Sequence, residues 1–445
     1  MSAPRSTPGA PRSTPGAPAR TAPARVCAYA VLRRVFEGGA YADRALHAQT
    51  RELDARDRAL AMRLAYGAVQ RRATLDHIAE RLSDRPPGRL DPPVLAALRL
   101  GLYELLYLRG APDHAVVADA VELTKRDGSA GYGLVNAVLR RATREGPAIV
   151  AALDDTTPEG AALKHSHPEW IARLWWAQLG AGETRALMAA DNEPGEVALR
   201  VNTLCADALT VARELPLATH TDPELPEALV LDGPFDLRGS PLWRSGALLA
   251  QARAAMRVAH VVDPRPGERV LDLCAAPGGK STHLAALMEG RGEVVAVERN
   301  RRRAAELQRT AQRLRAHNVR VEVADAALER THEAPFDRVL VDPPCSGLGI
   351  LQARADLRWR VTPHNVAEMV EIQAAILAAG AAVVRPGGVL VYSTCTISPT
   401  ENEHQIASFI ESHPDFALTV APVTTLPHRD RTAGFFIARL ERAGG

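Results

Sequence analysis

Leu271–Thr282 reads LDLCAAPGGKST: an apolar run, a loop of small residues, a glycine pair, then residues that open a helix. Gly278 and Gly279 let backbone N–H groups come close to a ligand at a helix start. Two common ligands are disfavoured. A phosphate-binding loop needs glycine five residues before the Gly-Lys pair, where Cys274 stands, and the dinucleotide pattern GxGxxG is missing. The loop suits a ligand with no phosphate to cradle, such as S-adenosylmethionine.

Outward from this loop, strand and helix alternate from Glu268 onward. Candidate strands are Arg269–Cys274, Glu293–Glu298, Val319–Ala324, Arg338–Asp342, Gly388–Thr394 and Phe435–Leu440. Ser281–Glu289, Arg301–Ala316 and Asn365–Val384 read as helices between them. This order predicts a doubly wound, mostly parallel α/β sheet covered on both faces, Rossmann-like in class. Ligands in such sheets bind beyond the carboxyl ends of the strands. Glu298 ends the second strand, about 20 positions after the glycine loop, where a carboxylate accepts from ribose hydroxyls. Asp325 ends the third and is placed to meet an adenine amino group. The fourth ends in VDPPCSGLG (Val341–Gly349), which delivers Asp342 into the cleft just ahead of two prolines that stiffen the backbone. Enzymes that methylate exocyclic amines place an aromatic residue after such a proline pair; here it is Cys345, which moves the chemistry towards carbon. The fifth ends in VYSTCTISPTENE (Val391–Glu403), with Cys395.

Two cysteines at neighbouring strand ends suit methylation of cytosine carbon 5. That carbon is a poor nucleophile until a thiolate adds to carbon 6 and makes the ring an enamine. An acid donating to ring nitrogen 3 stabilises the adduct, a role for Asp342 if it is protonated or shares a proton. A second thiol assists elimination. The attacking thiol must be ionised, and Lys280 is placed to help. Only three lysines occur, Lys125, Lys164 and Lys280, against 51 arginines. A lysine in this loop therefore suggests a need for a compact point charge.

The 445 residues require more than one domain. Residues 1–25 repeat APRSTPG in tandem and read as a disordered basic tail. Residues 26–145 are apolar at helical spacing in Val26–Phe36, Ala55–Thr74, Leu75–Leu82, Pro93–Leu108, Asp113–Arg126 and Tyr132–Thr143. Residues 146–260 read as a small α/β insert, with helices Pro168–Leu179 and Gly182–Asp191 and a strand at Val197–Leu204. Residues 261–445 form the catalytic domain. Net charge is +2, yet residues 1–150 hold 23 Arg plus Lys against 15 Asp plus Glu. This surplus suits nucleic acid or a solvated surface. The five cysteines form no CxxC pair, so no metal and no disulfide are expected. No secretory signal or membrane span is legible, and a cytoplasmic monomer is expected.

The N-terminal segments LDHIAERL (Leu75–Leu82), LRLGLYELLYL (Leu98–Leu108), VVADAVELTK (Val116–Lys125) and LVNAVLRR (Leu134–Arg141) resemble the NusB-type RNA-binding bundle. CAAPGGK, DPPCSG and YSTCT…ENE closely resemble the RNA cytosine-5 methyltransferases. With the bundle in front, the resemblance narrows to bacterial 16S ribosomal RNA methyltransferases of the Sun (RsmB) type. It implies a class I methyltransferase fold and S-adenosylmethionine at Cys274, Ala275, Ala276, Pro277, Gly278, Gly279, Lys280, Glu298, Asp325 and Asp342. It also implies Cys395 as nucleophile, Cys345 assisting release, and 16S rRNA as substrate, free or in an early assembly intermediate. Two stretches depart from the family pattern. Gln251–Met256 is QARAAM where QDASSQ is usual, and Ala433–Phe436 is AGFF where DGFF is usual. The same reaction on tRNA or 23S rRNA, an amino-directed methyltransferase, and a non-catalytic NusB-like antitermination protein remain as alternatives.

Overall fold

The computed structural model describes residues 21–108, 110–328 and 335–444. The tandem repeat lies outside them. Helix Pro23–Phe36 begins inside the stretch expected to be tail, with Ala24 and Ala28 fully buried. Proline at its first position fits the helix because that N–H needs no partner. Six more helices complete the bundle: Ala42–Gln49, Ala55–Gln70, Arg72–Ser83, Pro92–Leu106, Asp113–Arg126 and Tyr132–Ala151. Their apolar faces share one core around Leu32, Leu64, Leu75, Ile78, Leu98 and Leu139. The second helix was not expected, because eight residues barely show a period. The third is capped at Arg71, three residues before the expected break.

Next come helices Pro158–His165 and Glu169–Ala190, the latter interrupted at Gly180 (φ 78°), which is where the sequence split it. A four-stranded antiparallel sheet follows: β1 (Val197–Val201), β2 (Thr219–Asp222), β3 (Leu225–Leu231) and β4 (Leu248–Ala250), in the order β2-β3-β1-β4. β1 stops earlier than its apolar pattern suggested. Asn202 turns the chain, its amide donating to the carbonyls of Gly246 (3.0 Å) and Leu314 (2.7 Å).

After helix Arg253–Val262 comes the large sheet: β5 (Arg269–Leu273), β6 (Glu293–Val297), β7 (Val319–Glu322), β8 (Phe336–Val341), β9 (Val384–Thr394), β10 (Phe416–Leu418), β11 (Val423–Thr425) and β12 (Phe435–Arg442). Its order is β10-β12-β9-β8-β5-β6-β7, with β11 on β12. The strands β9-β8-β5-β6-β7 are parallel, and β12 enters antiparallel beside β9. The chain leaves β5 towards β6 on one side and later returns to β8 on the other. The cleft therefore opens where the connections diverge, at the carboxyl ends of β5 and β8. Buried aliphatic side chains from both faces of these strands fill two cores, one under each helical layer.

The bundle packs on the segment after β8. Trp359 Nε1 donates to Val69 O (2.7 Å), and Arg360 donates to Gly39 O (3.1 Å) and Ala40 O. Among the described residues no helix is long and apolar enough to cross a membrane.

Candidate active site

The carboxyl ends of the first five strands expected from the sequence face one cavity of about 660 Å³, and Phe435, at the start of the sixth, lines it too. Its lining includes Cys274 and Lys280 from the loop after β5, Glu298 after β6, Asp325 after β7, Asp342 and Cys345 after β8, and Cys395 after β9. Ala276 also reaches it. Cys274 takes a left-handed backbone (φ 66°), as does Gly278 (φ 101°). A Cβ on Gly278 would sit 2.5 Å from Leu307 Cδ1, so the helix Gly279–Leu287 starts on a bare backbone edge.

Two of these side chains meet. Cys345 Sγ and Cys395 Sγ are 3.3 Å apart, and both residues are partly exposed at the cleft. Their loops are clamped together from behind. Buried Glu401 accepts from Ser346 N (2.8 Å), Ser346 Oγ and Gln373 Nε2 (3.0 Å). Gln373 Nε2 also donates to Pro344 O (3.0 Å). Gly349 N donates to Cys395 O (3.0 Å) and Gly434 N to Gly349 O (2.7 Å). A Cβ on Gly349 would fall 2.0 Å from Gly434 O, so these backbones meet only without side chains. This contact explains the glycine of the AGFF stretch.

The hydrogen bond from the Cys345 thiol is the main reason the Cys395 pKa is lowered; burial and Asp342 oppose it, and Lys280 adds to it. Cys345 is pushed well up, first by that bond, then by burial and by the charges of Cys395 and Glu401. The asymmetry has a structural cause: the ammonium acts on Cys395, and the carboxylate of Glu401 acts on Cys345. Lys280 Nζ donates to Asp342 Oδ2 (2.6 Å), and Ser393 Oγ donates to Oδ1 (2.8 Å). Burial alone would lower the lysine pKa, but its pairing with Asp342 outweighs this and raises it. Cys274 is different. Burial first, then Asp342, Asp272 and Glu298, push it up to about 12.

Glu298 is buried, accepting from Asn300 N (2.8 Å) and pairing with Arg303 (3.2 Å). Asp325 is exposed on the cavity wall and accepts from Ala327 N (3.0 Å). Ala275 N donates to Val297 O (2.9 Å), which holds the loop against the end of β6. Pro277 follows a cis peptide bond.

Sequence reasoning missed the residues behind the loop. Arg200, fully buried on β1, donates to Gly279 O, to Gln251 Oε1 (2.7 Å) and to Thr282 Oγ1 (2.8 Å). Burial lowers its pKa to about 9. Its partners are far away in sequence, and no local pattern marks it. Asp272, on β5, accepts from Ser281 Oγ (2.6 Å), and burial pushes it up to about 7. The departure at Gln251–Met256 keeps its first glutamine as the Arg200 acceptor. Arg253 there pairs with Glu196 (2.7 Å) and Asp222 (2.9 Å), and Met256 fills the core against β3. Away from the cleft, Glu227 accepts from His260 (2.8 Å) and lies 2.9 Å from His283 Nε2.

Three family models match the chain in order: the NusB family over residues 22–144, an RsmF/B-like ferredoxin-like domain over 167–238, and 16S rRNA methyltransferase RsmB/F over 259–441. A protein of Synechocystis sp., named "Probable ribosomal RNA small subunit methyltransferase B", is 37% identical, covering 94% of this chain and 99% of the relative. A Bacillus subtilis protein of the same name is 34% identical, covering 89% and 93%. The crystal structure of PH0851 superposes with a TM-score of 0.80 at 27% identity, over 94% of this chain and 99% of that one.

Proposed function

This chain belongs to the RsmB/F family of 16S rRNA methyltransferases, and from that membership and its paired thiols we propose that it methylates carbon 5 of a cytosine in 16S rRNA, with S-adenosylmethionine as donor and Cys395 as transient covalent nucleophile. The observation that carries this reading is the 3.3 Å separation of the Cys345 and Cys395 sulfurs beside Lys280.

The cleft fits the donor. Its volume, about 660 Å³, lies in the range of small-molecule sites. Glu298, Asp325 and Asp342 offer acceptors for hydroxyls and amino groups and would repel a phosphate. The loop Cys274–Lys280 and these carboxylates would hold the donor, which supplies an electrophilic methyl when bound. The chain's own residues do the rest. The Cys395 thiolate adds to carbon 6, forming a C–S bond and pushing the ring electron pair towards nitrogen 3 and carbon 5. Both oxygens of Asp342 accept hydrogen bonds, so the proton for nitrogen 3 is shared through the Lys280–Asp342 pair rather than carried by an isolated acid. The adduct also alters Cys345. Once the Cys395 sulfur has spent its charge in a bond, the nearest cause of the raised Cys345 pKa is gone. Once carbon 5 carries the methyl, Cys345 passes its own proton to solvent at the cleft, against the remaining pull of burial and Glu401, and takes the proton from carbon 5. Loss of that proton expels Cys395 as thiolate and breaks the C–S bond.

The test is the product. Purified protein is incubated with labelled donor and 16S rRNA, 23S rRNA or tRNA, and the RNA is digested to nucleosides for mass spectrometry. 5-Methylcytidine from 16S rRNA is expected. N4-methylcytidine, or label confined to another RNA, would overturn the corresponding part of the proposal.

A further inference from the structure

Arginines of the bundle and of the catalytic domain converge on one exposed tyrosine beside the cleft. Tyr41 precedes helix Ala42–Gln49 and is 39% exposed. The guanidinium carbons of Arg360, Arg44 and Arg354 lie 4.5, 5.1 and 5.7 Å from its ring centre. The ring is held in place from the catalytic side. Arg360, itself paired with Asp356, donates to the carbonyls of Gly39 and Ala40 just ahead of Tyr41. Gln70 Nε2 donates to Gln352 O (3.4 Å) and Trp359 to Val69 O, tying the same joint. The cluster thus exists only where the two domains meet.

Its cations differ in what they are free to do. Arg360 is committed to the joint. Arg354 lies against the catalytic cavity, and its nearest carboxylate contact is Asp43 at 3.9 Å. Arg44 is exposed, and among the described residues its guanidinium has no carboxylate partner. Arg299 also lines the cavity, as does Arg303, which is tied to Glu298 and to Ala276 O. A guanidinium that faces solvent with no carboxylate partner (Arg44) beside one only loosely paired (Arg354), both set by an aromatic ring, suits a polyanion with planar bases. A base must leave its stack to reach a thiol in a cleft, so the strand on either side of it crosses the cleft lip.

We propose that this joint grips the single-stranded RNA beside the target cytosine, with Arg44 and Arg354 on backbone phosphates and Tyr41 as the platform that orders them. The proposal rests on the RNA-methyltransferase reading and adds to it a place where both domains hold one strand.

The test uses the full chain and transcribed 16S rRNA. Arg44→Gln and Arg354→Gln are each expected to raise the KM for RNA ~5- to 10-fold and to flatten the plot of log Kd against log salt by about 0.7 per charge removed. Donor affinity and kcat at saturating RNA should hold. Tyr41→Ala should raise KM similarly, and Tyr41→Phe should restore it, because the ring and not the hydroxyl holds the guanidiniums. Wild-type KM and salt slope in both glutamine variants would overturn the grip, and since both side chains are exposed their loss should leave folding intact. If the wild-type chain methylates no RNA, the functional reading fails; if it does and the variants match it, only the grip fails.

Discussion

Cys274 and Cys395 line the same cavity from the ends of different strands, yet their surroundings push them in opposite directions. After β5, Cys274 is surrounded by Asp272, Glu298 and Asp342, which together with burial keep its thiol protonated. At the ends of β8 and β9, Cys395 lies against a second thiol and near an ammonium, and its pKa is lowered. The same residue type is inert in one half of the cleft and poised to react in the other. Thiol reactivity follows the neighbouring donors and charges, and here the asymmetry divides a carboxylate-lined wall from the thiol proposed as nucleophile.

Replacing Cys395 should have the largest effect on that contrast. Cys395→Ala is expected to lower methyl transfer at least ~1000-fold while RNA affinity stays near wild type, measured by label incorporation and filter binding. Normal turnover would falsify the covalent mechanism. Cys345→Ala keeps the Cys395 sulfur but removes both the main cause of its lowered pKa and the group that finishes the reaction, so the adduct should form more slowly and then persist. Turnover should fall by ~100-fold or more, and an RNA–protein adduct that survives denaturing electrophoresis should accumulate. Adduct appearing equally in the wild type would count against Cys345 as the releasing group.

Lys280→Met probes the charge. The ammonium lowers the Cys395 pKa, so its loss raises that pKa, and the thiolate is lost as pH falls through a higher value. The acid limb of the pH–rate profile should move to higher pH. Activity at neutral pH should fall ~10-fold if the limb moves by about one pH unit, with only partial recovery in alkaline buffer, because the Lys280–Asp342 pair that carries the nitrogen 3 proton is broken as well. A uniform drop with no movement of the limb would leave Lys280 only its place in the proton path to nitrogen 3. Arg200→Met should weaken donor binding ~10-fold, because a buried guanidinium with three partners is removed from behind the loop; calorimetry with the demethylated donor product reads this, and RNA affinity is the control. The smallest effect is expected for Cys274→Ser, within ~3-fold of wild type in kcat, since that thiol is held protonated and has no assigned proton or bond to move.

The large sheet was legible because β5, β6, β8 and β9 are apolar runs separated by helical periods, and each ends in a residue of unusual type. β9 is longer than expected, starting at Val384 rather than Gly388, because its first turn pairs with Phe336 across a register shift. β2, β4, β10 and β11 were not legible; runs of three or four residues cannot display alternation, and they exist because longer neighbours offer them hydrogen bonds. Helix Arg253–Val262 was missed because no capping side chain marks its start. Glu401 was visible only as part of ENE, and its work as the clamp between two loops depends on Ser346 and Gln373, 55 and 28 residues away.

Residue types and their order were enough to propose the chemistry and to bring its residues to one cavity: a glycine loop, carboxylates at successive strand ends, two cysteines and one exceptional lysine, each readable because strands deliver side chains to a common edge. The sequence could not say which sulfur carries the charge. Cys345 and Cys395 stand 50 residues apart along the chain, and only folding puts one thiol proton on the other, sets the ammonium to act on Cys395, and seats a carboxylate behind Cys345. Electrostatic effects of this kind depend on distance through space and on exclusion of water, neither of which exists until the chain has packed.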